Sequence, residues 1–270
     1  MKIAVTPPKV VTRLSLFAIM VGASSAFAAT VWNVNIGGPV GSGATYEITP
    51  GENYQGAATE NTANSVWNPV NSSGPTALLT STGAASGASI AVTTPAGGIG
   101  FNSTAGTTGD EIFKTWAKDN GNNNPFTATF SGLSTDPGTT YNLVTYSGWF
   151  WGNGANGDEI GISQTAGTGL AGFFALNSID MEGAHPLATG LAQDTDPANT
   201  DGNFNYARFD NLIADGSGNL AFTFSSATNP NGGVDAPING FQLVEFSAIP
   251  EPSSALLSSL GLLVLLRRRR

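Results

Sequence analysis

The sequence predicts an all-β protein, folded as a two-sheet, jelly-roll-like β-sandwich. Short segments in which polar and apolar residues alternate recur between positions 29 and 248, and this period of two is typical of strands with one buried face. The 35 Gly and 15 Pro residues supply turns between these segments. Hydrophobic residues make up 40% of the chain, which is enough for a core and argues against disorder.

The first predicted strand shows the alternation clearly. In the segment VWNVNI at 31–36, Asn33 and Asn35 lie on one face with Val31, and the apolar residues between them lie on the other face. Similar patterns predict further strands over 77–80, 89–93, 126–130, 141–146, 159–163, 172–176 and 237–246.

Two more strands, 206–213 and 219–224, flank the turn sequence DGSG at 215–218 and therefore predict a hairpin. The predicted helix covers 110–117, because acidic residues begin this segment and lysines follow it, as the helix dipole favours. The chain is otherwise expected to be strands and loops.

The first 28 residues have the three parts of a secretory signal peptide. Basic residues in the first 13 positions are followed by the apolar segment 14–21 and by the small residues Ala26 and Ala28 around Phe27. We expect a signal helix over 1–28 that signal peptidase removes by cutting before Ala29. The alternative is a retained anchor, but the apolar segment is shorter than the ~20 residues of a membrane span.

The predicted domain, 29–248, is strongly acidic. It has three basic and 18 acidic residues, and hence a formal charge of −15, against −9 for the whole chain. Such a surface repels the phosphates of nucleic acids and of anionic lipids. Nucleic acid is therefore excluded as a partner.

The last segment, 249–270, differs from everything before it. It begins with Pro250-Glu251-Pro252, whose prolines impose extended backbone. The apolar run 255–266 then predicts a short transmembrane helix, below the ~20 residues of a stable span. The positive-inside preference holds the closing residues on the cytoplasmic side: Arg267, Arg268, Arg269 and Arg270.

These three parts, in this order, resemble the PEP-CTERM sorting signal of exported bacterial proteins. The resemblance covers 250–270 and implies that an exosortase-type enzyme recognises the tail and removes it. It also implies an exported protein that is transiently anchored in the inner membrane and then resides at the cell surface or in the extracellular matrix, with extracellular polysaccharide as a partner. An ordinary C-terminal anchor with a basic stop is the alternative. Separately, the segments 206–224 and 238–244 resemble the closing strands of galactose-binding-like sandwiches.

Trp149 and Trp151 are the candidate carbohydrate-binding residues. If the strand over 141–146 continues, both indoles lie on one face beside a Gly/Asn-rich loop, where they could stack on sugar rings. The alternative is that they fill the core, as large aromatic side chains usually do.

Asp194, Asp196 and Asp201 are the candidate metal ligands. Carboxylate and amide oxygens suit calcium, and the asparagines at 199 and 203 add to the cluster. The spacing is not that of an EF-hand, and solvated loop acids are the alternative. Structural calcium is the one cofactor that the sequence suggests.

Catalytic signals are weak, and we expect a non-catalytic protein. The single histidine, His185, has no nucleophile motif with it, and its being alone excludes multi-histidine metal sites. The alternative is a secreted carbohydrate-active enzyme, a glycoside hydrolase or lyase, that uses a carboxylate pair. Adjacent acids occur at 110–111 and 158–159.

Overall fold

A computed structural model describes residues 27–36, 56–61, 65–70, 74–93, 99–101, 111–117, 125–149, 159–177, 179–180, 191–195, 204–226, 238–248 and 267. The strands belong to one compact unit, Phe27–Ile249. A second unit consists of Met1–Ala26 and Pro250–Arg270, in which the described residue is Arg267.

The described part contains sixteen strands and one 3₁₀ turn, Glu111–Lys114. The strands are β1 (Phe27–Ile36), β2 (Trp67–Val70), β3 (Thr76–Leu79), β4 (Ala85–Thr93), β5 (Ile99–Phe101), β6 (Thr115–Ala117), β7 (Phe126–Ser131), β8 (Thr140–Tyr146), β9 (Gly148–Trp149), β10 (Glu159–Ala166), β11 (Phe173–Asn177), β12 (Ile179–Asp180), β13 (Gln193–Asp194), β14 (Tyr206–Leu212), β15 (Leu220–Ser226) and β16 (Gly240–Ala248). Every strand predicted from the sequence overlaps one of these.

Twelve of the strands form two six-stranded sheets. Sheet 1 has the order β13-β14-β8-β16-β1-β2, and sheet 2 has the order β11-β10-β15-β7-β4-β3. Two small sheets, β9 with β12 and β5 with β6, complete the described strands. The predicted all-β, two-sheet architecture is confirmed at this level.

The main core lies between the two sheets and is rich in phenylalanine. Phe241 of sheet 1 contacts two rings of sheet 2, Phe130 at 5.8 Å and Phe224 at 5.7 Å between centroids. Phe209 of sheet 1 meets Phe174 of sheet 2 edge-to-face at 5.2 Å. These contacts show that the apolar faces of the two sheets pack against each other, as in a sandwich.

The helix predicted over 110–117 is wrong. Residues Glu111–Lys114 form a 3₁₀ turn, and the chain then enters β6, which pairs with β5. Ile112 and Phe113 are both fully buried. Because a single turn is enough to bury these two side chains, packing decides the conformation here over the charge pattern that favours a helix.

The hairpin predicted around 215–218 is also wrong. β14 pairs with β8 in sheet 1, whereas β15 pairs with β10 and β7 in sheet 2. The predicted tight turn is present, since the Asp215 carboxylate accepts hydrogen bonds from the backbone N–H groups of Ser217 and Asn219 at 2.9 and 2.8 Å. The connection is therefore an arch between the sheets.

A β-bulge at the end of β14 directs the chain out of sheet 1. The register shifts between Phe209 and Leu212, and Asn211 has a φ of 60°, which is left-handed. The Asn211 N–H donates to Oδ1 of Asn142 at 3.1 Å. Bulges bend strands and end their pairing, and asparagine tolerates this backbone conformation better than most residues.

Candidate functional site

The structure describes a minority of the residues predicted to be functional. Trp151, Asp196, Asp201 and His185 lie outside the described residues, as do Ala26 and the tail motif at 250–252. Of the arginines at 267–270, only the first is described. In the described part of the chain, no helix is long and apolar enough to cross a membrane. The predicted signal, sorting tail and transmembrane segment therefore stay predictions.

Trp149 lies in β9, which is separate from the preceding strand. β8 ends at Tyr146, and β9 pairs in parallel with β12, with Trp149 opposite Asp180. The expectation of one strand continuing from position 141 to Trp151 thus fails at Ser147. The physical reason is that the two sides of the break have different partners.

The backbone just before Trp149 is held on several sides. The Ser147 N–H donates to the carbonyl of Asn205 at 3.0 Å, and the Gly148 N–H donates to the Oδ1 of Asn239 at 2.6 Å. The Asn239 N–H in turn donates to the Tyr146 carbonyl at 2.9 Å. These bonds fix the point where the chain leaves sheet 1 after β8 and enters β9, so the start of the candidate carbohydrate-binding segment is anchored to the sheet.

Asp194 is a buried strand residue. It lies in β13 opposite Ala207 and has 1% of its surface exposed, so it is not a solvated loop acid. β13 is held to the same end of sheet 1 as β9, because Asn205 exchanges hydrogen bonds with Ala192, at 2.8 Å through its side chain and 3.0 Å through its N–H. Among the described residues, no three acidic or histidine side chains lie close enough to hold a metal ion.

The outer face of sheet 1 carries a buried polar cluster that sequence analysis missed. We call Tyr146, Gln242, Asn33 and Asn61 the outer-face cluster; the first three lie on the central strands β8, β16 and β1, and all four are buried. Asn33 and Asn35 share the face of β1 that is turned away from the main core, with Val31, as the alternation predicts. This face is buried as well, because residues 56–61 and the 3₁₀ turn cover it.

Hydrogen bonds connect the outer-face cluster from end to end. The Tyr146 hydroxyl donates to Gln242 Oε1, and Gln242 Nε2 donates to Asn33 Oδ1 at 2.8 Å. Asn33 Nδ2 continues to Asn61 Oδ1 at 3.4 Å. The covering segment is attached by its backbone, since the Ala58 N–H donates to Gln242 Oε1 at 2.8 Å and the Ala57 N–H donates to the Tyr146 hydroxyl.

Three aromatic rings pack around the ring of Tyr146. Trp67, Phe113 and Tyr206 lie 6.4, 6.2 and 6.2 Å from the Tyr146 ring, between centroids. Burial raises the pKa of Tyr146 well above its usual value of 10.0, because the phenolate cannot be hydrated there. The group is thus a neutral hydrogen-bonding residue rather than a base, and the cluster serves to hold the covering segment on the sheet.

An ion pair attaches the same segment to β14. Arg208 Nη2 lies 3.2 Å from Glu60 Oε1, and Arg208 Nε lies 2.7 Å from Asp210 Oδ1. Burial lowers the pKa of Arg208, but the hydrogen bonds and charges of the two carboxylates outweigh it and raise the pKa above its usual value. Arg208 is the single arginine between positions 29 and 248, and its charge is committed to structure.

One sequence signal could have indicated the cluster. The segment NGFQLVEF at 239–246 has a glutamine within an apolar run, and Asn33 interrupts an equally apolar strand. A polar residue inside a strand with apolar residues on both faces is typical of a central strand with a buried hydrogen bond.

The comparisons with known proteins add little. No protein-family model matches the sequence, and no curated protein matches it. Among solved structures, the chain is similar to the crystal structure of the plant receptor-like kinase ANX1, at 16% identity over 58% of this chain and 38% of that one. The TM-score of 0.31 is too low for this similarity to support any statement about fold or function.

Proposed function

We propose that this is an exported, non-catalytic cell-surface or extracellular-matrix protein that is sorted through its C-terminal tail. The observation that carries the proposal is the tripartite segment at 250–270, with Pro250-Glu251-Pro252, an apolar run and four arginines in order. An extended, proline-bounded strip is readily bound by a processing enzyme, and the arginines resist export. The predicted signal peptide at 1–28 supplies the route out of the cytoplasm.

The described domain is compatible with this role and supports a jelly-roll-like classification. The first and last strands, β1 and β16, are neighbours in the middle of sheet 1. The chain also passes from one sheet to the other between β7 and β8, β14 and β15, and β15 and β16. Both features are common in jelly-roll folds, which recur among carbohydrate-binding domains.

The sorting proposal is tested by mass spectrometry of the secreted protein. The chain would be expressed in a bacterium that has an exosortase-type enzyme and in the same strain without that enzyme. We expect a mature protein that begins at Ala29 and lacks the arginines when the enzyme is present, and an intact tail when it is absent. A Glu251→Gln variant is the matched control, because it disrupts the Pro-Glu-Pro motif and changes no other residue. A mature protein that ends at Arg270 in both strains would overturn the proposal.

Within this function, we propose that polysaccharide contacts the segment that begins at β9. The support is the pair Trp149 and Trp151, together with the anchoring of Ser147 and Gly148 to Asn205 and Asn239. A glycan array of the wild-type protein and of Trp149→Ala and Trp151→Ala tests this proposal, with the exposed Ile213→Ala as control. Binding that is lost in the tryptophan variants and kept in the control supports it. Wild-type protein that binds no glycan overturns it.

Structural calcium at Asp194, Asp196 and Asp201 stays a further proposal. The support is the oxygen-rich sequence and the attachment of β13 to the same end of sheet 1 as β9. A melting temperature that rises with calcium and falls with chelator, and that responds to neither in Asp196→Asn, is expected. A melting temperature indifferent to both reagents in the wild-type protein would overturn this part.

A further inference from the structure

The pairing of β1 with β16 places the predicted signal-peptidase site within a strand ladder. The ladder runs from Phe27 opposite Ala248 to Asn35 opposite Gly240. Ala28 pairs with Ser247, and Ala29 pairs with Phe246. The bond expected to be cut by signal peptidase, between Ala28 and Ala29, therefore lies inside an antiparallel ladder.

We infer that folding of sheet 1 closes the N-terminal cleavage site by a ladder that does not reach the C-terminal motif, so that the two ends are processed in a fixed order. Signal peptidase cuts while β16 is still unpaired, and the tail is processed on the folded domain. This inference rests on the proposed signal peptide and sorting tail, and it adds the control that the fold exerts over them.

Closure of the site follows from how proteases bind their substrates. A protease needs several consecutive residues in its own cleft, so residues already paired in a sheet must first separate from it. Here the pairs from Phe27 to Thr30 would have to open. The strand is fixed immediately afterwards, because Val31 and Trp32 are buried and the Trp32 indole N–H donates to Ser86 Oγ at 3.0 Å.

The order of the strands supplies the timing. β16 lies between β1 and β8 and is the last described strand along the chain, so the antiparallel partner of β1 arrives only when residues 240–248 have crossed the membrane. Until then, the backbone of residues 27–30 lacks the partner that the ladder gives it. A chain that folds before it is cut keeps its signal segment.

The same ladder stops before the tail motif. It ends at Ala248, two residues before Pro250 in the chain. Proline lacks the N–H that a ladder requires, so Pro250 and Pro252 prevent β16 from extending through the motif. We therefore expect that processing of the tail does not require the β1–β16 ladder to open.

The test uses the full-length chain, made without export and folded in detergent, and purified signal peptidase. Mass spectrometry would follow the product that begins at Ala29. Because the chain has no cysteine, a Thr30→Cys/Glu245→Cys variant can lock the ladder; these residues are directly opposite, at a separation that a disulfide can bridge. Gly240→Val gives the opposite variant, since a Cβ there would lie 2.4 Å from the Val34 carbonyl oxygen and β16 could not approach β1.

We expect chain diluted from urea directly into the enzyme, and the Gly240→Val chain, to be cut at least about 10-fold faster than the folded wild-type chain. The oxidised double-cysteine variant should resist cutting, and reduction should restore the rate of the folded wild type. Gly216→Ala is the matched control, because a Cβ there meets nothing within 4 Å, and it should be as resistant as the wild type.

The outcomes separate this inference from the function on which it rests. Folded and urea-diluted chains that are cut before Ala29 at equal rates would overturn the closure of the site and leave the signal peptide intact. Chains that are never cut there, even from urea, would overturn the signal peptide itself and the inference with it.

Discussion

The two sheets differ in how they treat the face turned away from the main core. In β7 of sheet 2, buried and half-exposed residues alternate along the strand from Phe126 to Ser131. In β8 of sheet 1, all residues from Tyr141 to Tyr146 are buried. The difference shows that sheet 2 has one covered face, whereas the centre of sheet 1 has two.

Covering the second face of sheet 1 requires hydrogen bonds that sheet 2 does not need. On the outer face of sheet 2, Thr127 and Thr223 lie 3.4 Å apart, and water can also reach them. On the outer face of sheet 1, Gln242 and Tyr146 are fully buried, so protein groups must satisfy them. Equivalent changes on the two faces should therefore have unequal effects on stability.

The largest effect is expected at Gly240 in β16, whose backbone lies against both the neighbouring strand β1 and the 3₁₀ turn. A Cβ at this position would lie 2.4 Å from the Val34 carbonyl oxygen and 3.0 Å from Ile112 Cδ1. Gly240→Ala should lower the free energy of unfolding by about 3 kcal/mol, because the backbone of β1 at Val34 cannot move away without a large energetic cost. Urea unfolding would measure it, with Gly216→Ala, in open space, as a control that changes stability by less than about 0.5 kcal/mol. A loss below about 1 kcal/mol would show that β16 can move.

The second-largest effect on stability is expected at Gln242, where buried hydrogen bonds are compared with a partly exposed one on sheet 2. Gln242→Leu removes the acceptor of Ala58 N–H and of the Tyr146 hydroxyl, together with the donor to Asn33. We expect a loss of about 2 kcal/mol from the partners left unsatisfied. Thr223→Val on sheet 2 should stay within about 0.5 kcal/mol of the wild type. Equal effects from the two changes would contradict the difference between the sheets.

Tyr146→Phe should cost about 1 kcal/mol at neutral pH and should also change the response to alkali. Because the folded pKa is raised above the unfolded value of 10.0, stability is complete below about pH 10 and falls as the pH rises above it. The variant lacks this ionisation, so its stability should fall less between pH 8 and about pH 11 than that of the wild type. Denaturant unfolding at both pH values would measure the difference. Tyr206→Phe is the comparison, since burial raises the pKa of Tyr206 in the same direction but this residue is only partly buried, and it should change the pH slope less. Identical pH slopes for wild type and Tyr146→Phe would refute the prediction.

The smallest effect is expected at Asp215, where the chain passes from sheet 1 to sheet 2. Its exposed carboxylate accepts a backbone hydrogen bond from Asn219, which lowers its pKa below 3.8. A lowered folded pKa gives stability that is complete above the unfolded value and is lost as the pH falls through the folded one. Asp215→Asn should therefore melt slightly below the wild type at pH 7, and the gap should close as the pH falls below about 3.8. A gap that persists in acid would contradict this cause.

Much of the fold could be predicted, because alternation depends on each strand's own burial. The strand at 126–130 has one exposed face, and its pattern therefore predicts β7 directly. A polar residue within an apolar strand indicates a buried hydrogen bond, but the partners of Asn33 could not be predicted, because they lie 28 positions away at Asn61 and 209 positions away at Gln242. A single strand's pattern does not show what a distant segment will place over it.

The errors at 110–117 and 215–218 have the same origin. Acidic residues followed by lysines predict a helix, because this charge order suits the helix dipole. The structure instead buries Ile112 and Phe113 with a single 3₁₀ turn. The DGSG sequence correctly predicts a tight turn. It does not distinguish a hairpin from an arch, because in both the flanking strands turn alternate apolar residues toward one core. The bulge at Asn211, which turns the chain out of sheet 1, depends on a hydrogen bond to Asn142.

By itself, the sequence determined the all-β class, the positions of most long strands and the acidic balance of the domain, because these depend on composition and on patterns within short segments. The proposals of export and sorting also come from the sequence, and they depend on the residues at the two ends. Only the tertiary structure decided that sheet 1 is buried on both faces, that β14 and β15 belong to different sheets, and that β1 pairs with β16 at Ala28 and Ala29. Those features require segments far apart in the chain to meet. The energy of their packing depends on both partners, so the sequence of one segment does not determine it.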